Sequence, residues 1–309
     1  MRTRKRFGQH FLEAPWADKV VAAIAPSPAD RFVEIGPGPG ALTLRLAARV
    51  AHLTAIEIDR DVAADLAPKL PPNVDLVEGD ILDVDLTRFC ADGPIRVAGN
   101  LPYNISSPIL FRLIDLSRSS VHLPAKAGSH APDDAARSAS PGVWLPPLGG
   151  RAAAGASPPA ESGSRRIVDA TLMVQREVAD RLEAVPGTGD YGVLSISVQL
   201  HADVRRVLAL PPGAFRPPPK VHSAVVRLTF KPVPADMPDE RLFTQMVRSV
   251  FTQRRKTLSN ALAPFAALHG QSAPETLRAA GIDPVRRPET LALDECVRLA
   301  RRFEPPGSG

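Results

Sequence analysis

The chain has 309 residues, 44% of them hydrophobic and 23% charged, which is typical of a soluble protein with one large domain and one smaller one. Its apolar runs are too short to span a bilayer, and the N-terminal stretch MRTRKRFGQHFL lacks the apolar segment of a secretory signal. Cys90 and Cys296 are the only cysteines, and no Cys/His cluster has the spacing of a metal site. We therefore expect a reducing, cytoplasmic setting, no membrane segment and no metal.

The net charge is +5, and its basic residues concentrate at two ends of the chain. Residues 241–302 contain eleven Arg and Lys against five Asp and Glu, and Arg2, Arg4, Lys5 and Arg6 form a second cluster. Clustered positive charge is expected of a protein that binds a polyanion such as nucleic acid. Solvated helix faces are the plain alternative, and the charge alone does not separate the two.

Strands and helices alternate through the first part of the chain. The apolar pattern predicts strands at residues 31–35, 52–58, 74–77, 95–99 and 167–174. It predicts helices at residues 14–25, 41–50, 61–70, 107–116 and 175–184. This alternation indicates an α/β domain with a mostly parallel sheet and helices on both faces. Two further segments, residues 191–198 and 221–230, are predicted as added antiparallel strands.

Two regions fall outside this alternation. Between Arg118 and Arg165, Ala, Gly, Pro and Ser make up 32 of 48 residues, and no apolar period is present. Such a segment buries too little apolar surface to offset its ordering entropy, so a disordered insertion is predicted for residues 118–165. From residue 236 the chain is predicted to be helical and basic. We therefore predict domains at residues 1–235 and 236–309.

A glycine-rich loop, EIGPGPG at residues 34–40, follows the first predicted strand and precedes a helix. Gly36 and Gly38 let the backbone turn sharply and approach a ligand closely. Pro37 and Pro39 each remove an N–H donor, so the loop is poorly suited to pyrophosphate and better suited to an uncharged or zwitterionic ligand. A tight structural turn is the alternative for this loop taken alone.

Two carboxylates end the next strands. Glu57 lies about 20 residues after the loop, where a carboxylate can accept hydrogen bonds from both ribose hydroxyls. Asp80 ends the third strand and could accept from an adenine amino group. A single acid at a strand end is more often a cap, but these groups converge on one crevice. They predict an adenosyl ligand without pyrophosphate, which is S-adenosylmethionine.

The motif NLPY, Asn100 to Tyr103, ends the fourth strand at the same crevice. An exocyclic adenine amine is a poor nucleophile, and two acceptors aimed at its hydrogens would turn its lone pair toward a methyl donor. The Asn100 oxygen and the Leu101 carbonyl, freed by the extended geometry before Pro102, are the predicted acceptors. Tyr103 offers a ring for base stacking, a contact worth roughly 1–3 kcal/mol. A turn that only stops the strand is the alternative.

These motifs together resemble the ribosomal RNA adenine N6,N6-dimethyltransferases of the KsgA type, which act on small-subunit (16S) RNA. The matching stretches are KRFGQHFL (5–12), VEIGPG (33–38), NLPYNIS (100–106), FRPPPKV (215–221) and QRRKTL (253–258). The resemblance covers the chain from end to end apart from residues 118–165. It implies a Rossmann-like class I methyltransferase domain followed by a small C-terminal helical domain.

The resemblance also implies roles for individual residues. His10 and Leu12 would close over S-adenosylmethionine, although many relatives carry Asn at position 10, and Gly36, Gly38, Glu57, Asp80 and Asn100 would complete its site. Asn100, Leu101, Pro102 and Tyr103 would act on the substrate. Phe215 is similar to an aromatic near the target base, with a core phenylalanine as the alternative. Arg254, Arg255 and Lys256 would grip the RNA backbone.

The implied function is dimethylation of two adjacent adenosines near the 3′ end of small-subunit RNA, in an immature subunit, by a monomer with a role in ribosome biogenesis. Three rivals remain. A large-subunit dimethylase of the macrolide-resistance type would use the same chemistry, but the PPPK turn (217–220) and a QRRK helix (253–256) favour the small-subunit type. A nicotinamide dehydrogenase is disfavoured by Pro37 and Pro39. A non-enzymatic assembly checkpoint is compatible with catalysis.

Overall fold

We describe the fold on a computed structural model that covers residues 10–118 and 166–305. The strands, in chain order, are β1 (Phe11–Leu12), β2 (Arg31–Ile35), β3 (His52–Glu57), β4 (Val74–Glu78), β5 (Ile95–Asn100), β6 (Ile167–Gln175), β7 (Ala202–Leu210), β8 (Phe215–Arg216) and β9 (Ser223–Phe230). The helices are α1 (Ala14–Ile24), α2 (Thr43–Ala47), α3 (Arg60–Leu66), α4 (Ser106–Arg118), α5 (Arg176–Glu183), α6 (Val193–His201), α7 (Glu240–Phe251), α8 (Leu258–Leu268), α9 (Ala273–Ala279) and α10 (Leu293–Arg301).

Seven strands form the central sheet in the order β4-β3-β2-β5-β6-β9-β7. The first five strands in this order, β4, β3, β2, β5 and β6, are parallel. Strands β9 and β7 are antiparallel additions at one side of the sheet. The chain runs outward from β2 in one direction through β3 and β4, and in the other through β5 and β6. The strand order therefore reverses between β2 and β5, and open α/β sheets bind ligands at the carboxyl ends of the strands beside such a reversal.

The parallel strands other than the edge strand β4 are largely buried on both faces, as their nearly continuous apolar sequences predict. In β2, Phe32, Val33 and Ile35 are each at most 2% exposed. Val33 and Ile35 belong to the core on one face of the sheet, together with Leu113 of α4. Phe32 belongs to the core on the other face, together with Ile24 of α1. The mostly parallel α/β architecture predicted from the sequence is confirmed.

One predicted strand is wrong. Residues 191–198 do not form an antiparallel strand; helix α6 covers residues 193–201, and the strand follows it as β7. Branched apolar residues gave this segment its strand-like pattern, but Ile196 and Leu200 pack into a helical core, and tertiary burial overrides local propensity. The Ser195 hydroxyl donates to the Arg181 carbonyl at 2.6 Å and accepts from the Gly192 backbone N–H at 3.1 Å, which fixes the first turn.

The C-terminal region is helical, as predicted, and its helices α7 to α10 share one hydrophobic core. That core also takes in Tyr191, Ile196 and Leu200 from the preceding part of the chain. The domain boundary after residue 235 stays a prediction. The predicted QRRK helix is wrong, because residues 253–256 form the turn between α7 and α8. None of the helices in residues 10–118 and 166–305 is long and apolar enough to cross a membrane.

The predicted insertion at residues 118–165 lies outside the described residues, except for Arg118 at the end of α4. Its two flanks are described. The Arg118 guanidinium forms an ion pair with Glu240 of α7, and the Arg166 carbonyl accepts a hydrogen bond from the Ile95 backbone N–H at 2.9 Å. Ile95 begins β5, so the chain re-enters the sheet at the amino ends of the parallel strands, opposite their carboxyl ends.

Candidate active site

A cleft of about 1170 Å³, counting its open part, lies at the carboxyl ends of β2, β3, β4 and β5. The strand ends, the glycine loop and the segment around β1 line it. The predicted site residues on its wall are His10, Leu12, Gly36, Gly38, Glu57, Asp80, Asn100, Leu101, Pro102 and Tyr103. Parallel strands deliver their ends to one edge of a sheet, which is why residues so distant in sequence converge here.

The glycine loop takes a backbone conformation that favours glycine. Gly36 has φ +67° and Gly38 has φ +56°, both in the left-handed region. A Cβ on Gly38 would lie 3.0 Å from the ring of Phe11, so β1 could not pack this closely on a larger residue. The loop is thus shaped both by its own turn and by the segment that covers it.

Glu57 is buried, with 4% exposure, at the end of β3. Its Oε2 accepts a hydrogen bond from the Gly38 backbone N–H at 3.0 Å, and its Oε1 accepts from the Asp59 N–H at 3.0 Å. Burial raises the pKa of Glu57, and these backbone donors oppose that shift. The carboxylate fastens the glycine loop to β3, and each oxygen keeps a lone pair that can accept from a ligand hydroxyl.

Asp80 follows β4 on the cleft wall. Its Oδ1 accepts from the Leu82 backbone N–H at 2.9 Å. The backbone carbonyl of Asp80 accepts from the N–H groups of Asp83 and Val84, both at 2.9 Å, which fixes the turn. The Oδ2 atom has no hydrogen bond within residues 10–118 and 166–305. It can accept from an amino group of a ligand.

Glu34 was not predicted as a site residue, yet this first residue of the EIGPGPG stretch lines the cleft. It is 1% exposed, and its Oε2 has no hydrogen-bond partner among the described residues. Burial raises the pKa of Glu34 to about 8; the Thr43 hydroxyl opposes this shift in part, and the Glu57 carboxylate adds to it. The group is therefore mainly protonated at neutral pH. The signal in the sequence that could have identified this site residue was a glutamate between the apolar residues of the strand sequence RFVEI.

Asn100 ends β5, and its side-chain amide has a defined orientation. Its Nδ2 donates a hydrogen bond to the His10 backbone carbonyl at 2.7 Å. A carbonyl only accepts, so this contact assigns the nitrogen to the side facing His10 and leaves Oδ1 as the free acceptor. The covering segment around β1 thus sets which atom of Asn100 is available to a substrate.

The rest of the motif forms a tight turn. The Leu101 N–H donates to the Met173 carbonyl of β6 at 3.1 Å, and the Pro102 carbonyl accepts from the Ile105 N–H and the Ser106 hydroxyl, both at 3.1 Å. Among the described residues, no hydrogen bond reaches the Leu101 carbonyl. That carbonyl is the second free acceptor at this strand end.

Tyr103 is held at its hydroxyl and beside its ring. The hydroxyl lies 2.6 Å from the Ser223 hydroxyl at the start of β9, and burial raises the pKa of Tyr103. Its ring stacks on the His10 imidazole, with centroids 5.6 Å apart and planes at 29°. His10 Nδ1 lies 2.7 Å from the Pro217 carbonyl, so that nitrogen carries a hydrogen. Both rings line the cleft.

A family model of ribosomal RNA adenine dimethylases matches residues 1–303. The chain belongs to the ribosomal RNA adenine dimethylase family. It is 40% identical to a Syntrophotalea carbinolica protein named ribosomal RNA small subunit methyltransferase A, with 98% of each chain covered. It is 39% identical to a Pseudomonas aeruginosa protein of the same name, with 99% of this chain and 97% of that protein covered.

Solved structures agree on the fold. A dimethyladenosine transferase from Plasmodium falciparum matches with a TM-score of 0.67 and 23% identity, covering 94% of this chain and 96% of that one. The 23S rRNA methyltransferase ErmE matches with a TM-score of 0.61 and 22% identity, covering 95% and 99%. At these identities the two structures show the class I methyltransferase fold alone.

As a member of the dimethylase family, the protein is an S-adenosylmethionine-dependent methyltransferase that acts on ribosomal RNA. The described residues fit this donor. The cleft holds the unpartnered buried oxygen of Glu34, the free Oδ2 of Asp80 and the lone pairs of Glu57, which suit the amino and hydroxyl groups of an adenosyl ligand. No group of three or more His, Cys, Asp or Glu side chains in the described ranges could hold a metal ion.

The structure does not bring Phe215 of this dimethylase to the cleft. Phe215 is 2% exposed and pairs through its backbone with Leu12 in the β1–β8 ribbon. Its ring lies in the core that also contains Val21 and Val225. In this structure, therefore, the residue predicted near the target base packs as a core phenylalanine beneath the ribbon.

The three predicted RNA-binding residues lie in the turn between α7 and α8. Arg254 Nη2 donates to the Gly189 carbonyl at 2.9 Å, and its Nε lies 3.9 Å from Glu289. Arg255 and Lys256 are exposed. Contacts within the protein thus occupy part of the Arg254 guanidinium, whereas Arg255 and Lys256 are available to bind a partner.

Proposed function

We propose that the protein dimethylates the N6 amino groups of two adjacent adenosines near the 3′ end of small-subunit (16S) ribosomal RNA. The relatives that match nearly full length at 37–40% identity carry the name ribosomal RNA small subunit methyltransferase A. This supports the small-subunit substrate over the large-subunit alternative. The fold cannot separate the two, because the 23S enzyme shares it.

One observation carries the chemical part of the proposal: the Asn100 amide is oriented by the His10 carbonyl, so that Oδ1 remains to accept. An adenine N6 amine delocalises its lone pair into the ring and is a weak nucleophile. An acceptor that binds one amine hydrogen out of the ring plane favours a pyramidal nitrogen. The Leu101 carbonyl is the second acceptor, and the pair resembles a preorganised electrostatic site.

Tyr103 supplies the surface on which the base lies. Its ring is fixed by the Ser223 hydroxyl and by stacking on His10, so it does not need to be ordered when a base arrives. Stacking on a ring held in advance loses less conformational entropy than stacking on a mobile one. An unpaired adenine that leaves its stack in the RNA would enter between this ring and the acceptors.

The donor side of the cleft completes the arrangement. S-adenosylmethionine supplies an electrophilic methyl group when bound. Glu57 would accept hydrogen bonds from its ribose hydroxyls, and Asp80 would accept one from its adenine amine. The backbone of the glycine loop would lie close to the bound donor. The amine nitrogen becomes strongly acidic once it is methylated, so its proton can leave to water without a dedicated base.

The RNA reaches beyond the cleft. Arg255 and Lys256 are the exposed cations of the α7–α8 turn, and together with Arg254 they would contact phosphates of the subunit RNA. We propose an immature small subunit as the particle bound, a monomeric enzyme and a cytoplasmic location. This view rests on the basic C-terminal region and on the family.

The test is to incubate the protein with labelled donor and naked 16S RNA, immature small subunits or large-subunit RNA, and then to map the modified nucleotides. We expect dimethylation of two adjacent adenosines near the 3′ end of the small-subunit RNA. Modification of large-subunit RNA instead would establish the rival substrate. Tight binding of immature subunits without methyl transfer would establish a purely non-enzymatic assembly role.

A further inference from the structure

The loop of residues 217–222 is fastened to the cleft at both ends. At its start, the Pro217 carbonyl lies 2.7 Å from His10 Nδ1, and at its end Ser223 is hydrogen-bonded to Tyr103 at 2.6 Å. Both His10 and Tyr103 line the cleft. The loop between these two anchors therefore passes beside the part of the cleft wall that His10 and Tyr103 form.

A second segment reaches the same place from β6. Met173 lines the cleft, and two residues later Gln175 pairs with Ser223 at the end of the strand. The next backbone N–H, that of Arg176, donates to the His222 carbonyl at 2.9 Å. Arg176 and His222 are thus in contact beside the cleft, and Lys220 lies two residues before His222 in the same loop; we call these three residues the rim cluster.

Within the described residues, the positive charge of the rim cluster is neutralised only in part. Arg176, Lys220 and His222 are exposed. In residues 10–118 and 166–305, Lys220 and His222 have no ion pair, and the carboxylate that pairs with Arg176 belongs to Asp180, 3.9 Å away.

The neighbouring charges are already paired within the protein. Glu177, beside Arg176, forms an ion pair with Arg181, and Arg216, next to the loop, lies 2.5 Å from Glu13. Among the described residues of the rim cluster, Lys220 is therefore a cation without an ion pair, and Arg176 has only the 3.9 Å contact with Asp180. An exposed cation without a protein partner does not have to break an ion pair to bind a phosphate, and it releases counterions when it neutralises one.

We propose that the rim cluster binds the RNA phosphates that flank the target adenosine, a contact surface separate from the α7–α8 turn. The inference rests on the proposed function, because an RNA base can enter the cleft only if its own sugar-phosphate backbone lies across the mouth. Binding there positions the base over Tyr103 and carries no sequence information itself. The surface recognises single-stranded backbone at the point of chemistry.

The first test measures the salt dependence of binding to an RNA hairpin with two adjacent unpaired adenosines. Lys220→Gln and Arg176→Gln should each lower the magnitude of the log–log salt slope by about 0.7, the value for one single-strand phosphate contact. Lys220→Arg, which keeps the charge, should restore the slope. Matched controls are Lys69→Gln and Arg49→Gln, exposed cations in the segments that lead into the amino ends of β4 and β3; they should leave it unchanged.

The second test removes the charge from the RNA instead. A single neutral methylphosphonate beside the target adenosine should weaken binding to the wild-type protein, and that loss should disappear in Lys220→Gln or Arg176→Gln. Unaltered salt slopes, or methylphosphonate losses that persist in both variants, would overturn the inference. Failure of the proposed function would give a different result, because the wild-type protein itself would then methylate no small-subunit RNA. Donor affinity by calorimetry should be the same in all variants.

Discussion

The hydroxyl of Tyr103 lies 2.6 Å from the hydroxyl of Ser223, 120 residues away in the chain. This contact joins the NLPY turn after β5 to the start of β9, across β6, and it holds the Tyr103 ring at its hydroxyl end. The aromatic surface of the site is therefore built by tertiary structure, although the tyrosine itself belongs to a local motif.

Ser223→Ala should slow methyl transfer without preventing it. The substitution removes the partner of a half-buried phenol, and a hydrogen bond of this kind contributes about 0.5–1.5 kcal/mol, so a loss of up to roughly tenfold is expected in the single-turnover rate. Donor affinity should not change. Ser117→Ala, which removes a hydroxyl bonded to its own helix at the far end of α4, is the matched control. An unchanged rate in Ser223→Ala would mean that stacking on His10 alone holds the ring.

Glu34→Gln should change how stability depends on pH. The pKa of Glu34 is raised to about 8 in the folded protein, from 4.5 in the unfolded chain, so the folded state retains a proton that the unfolded state loses. This group therefore lowers stability progressively as pH rises from about 4.5 to about 8, and fully above that. The melting temperature of Glu34→Gln should exceed that of the wild type most at pH 8 and above.

The same comparison at pH 5 should show little difference between Glu34→Gln and the wild type. Glu177→Gln, which changes an exposed carboxylate paired with Arg181, is the control and should not reproduce the trend. A constant difference in melting temperature at every pH would show that Glu34 is ionised in the folded protein.

Substitutions in the α7–α8 turn should separate RNA binding from folding. Arg255→Gln together with Lys256→Gln should flatten the salt slope of RNA binding by about 1.4, two single-strand phosphate contacts, with an unchanged melting temperature. Arg254→Gln should also lower the melting temperature, because Arg254 donates to the Gly189 carbonyl. If a variant in which all three residues are replaced has an unaltered salt slope, the main RNA-binding surface lies elsewhere.

Deletion of Ser119 to Ser164, with a short Gly/Ser bridge, should keep methyltransferase activity and slightly raise the melting temperature. Both flanks lie away from the carboxyl ends of the strands, where the cleft is. Closing a loop of about 50 rather than about 4 residues costs roughly 2 kcal/mol. Limited proteolysis of the full chain should cut this segment first. Loss of methylation of immature subunits by a folded deletion variant would make the segment a partner-binding element.

The sequence predicted the parallel sheet and the cleft because their signals are local. Continuous apolar runs ended in the glycine loop, Glu57, Asp80 and NLPY, and parallel strands necessarily bring such ends together. Residues 191–198 were mistaken for a strand because their branched residues are buried by helices that are distant in sequence. The Asn100–His10 and Tyr103–Ser223 contacts join segments 90 and 120 residues apart, and no local pattern indicates them.

The account depends most on the Oδ1 atom of Asn100 as an acceptor for the target amine. The most direct measurement is the single-turnover rate of methyl transfer by Asn100→Ala at saturating RNA and donor, with donor affinity measured by calorimetry. We expect a rate about 10²-fold or more below the wild type, as for loss of one preorganised electrostatic contact, with donor affinity largely intact. A near-normal rate on the same RNA would contradict the account.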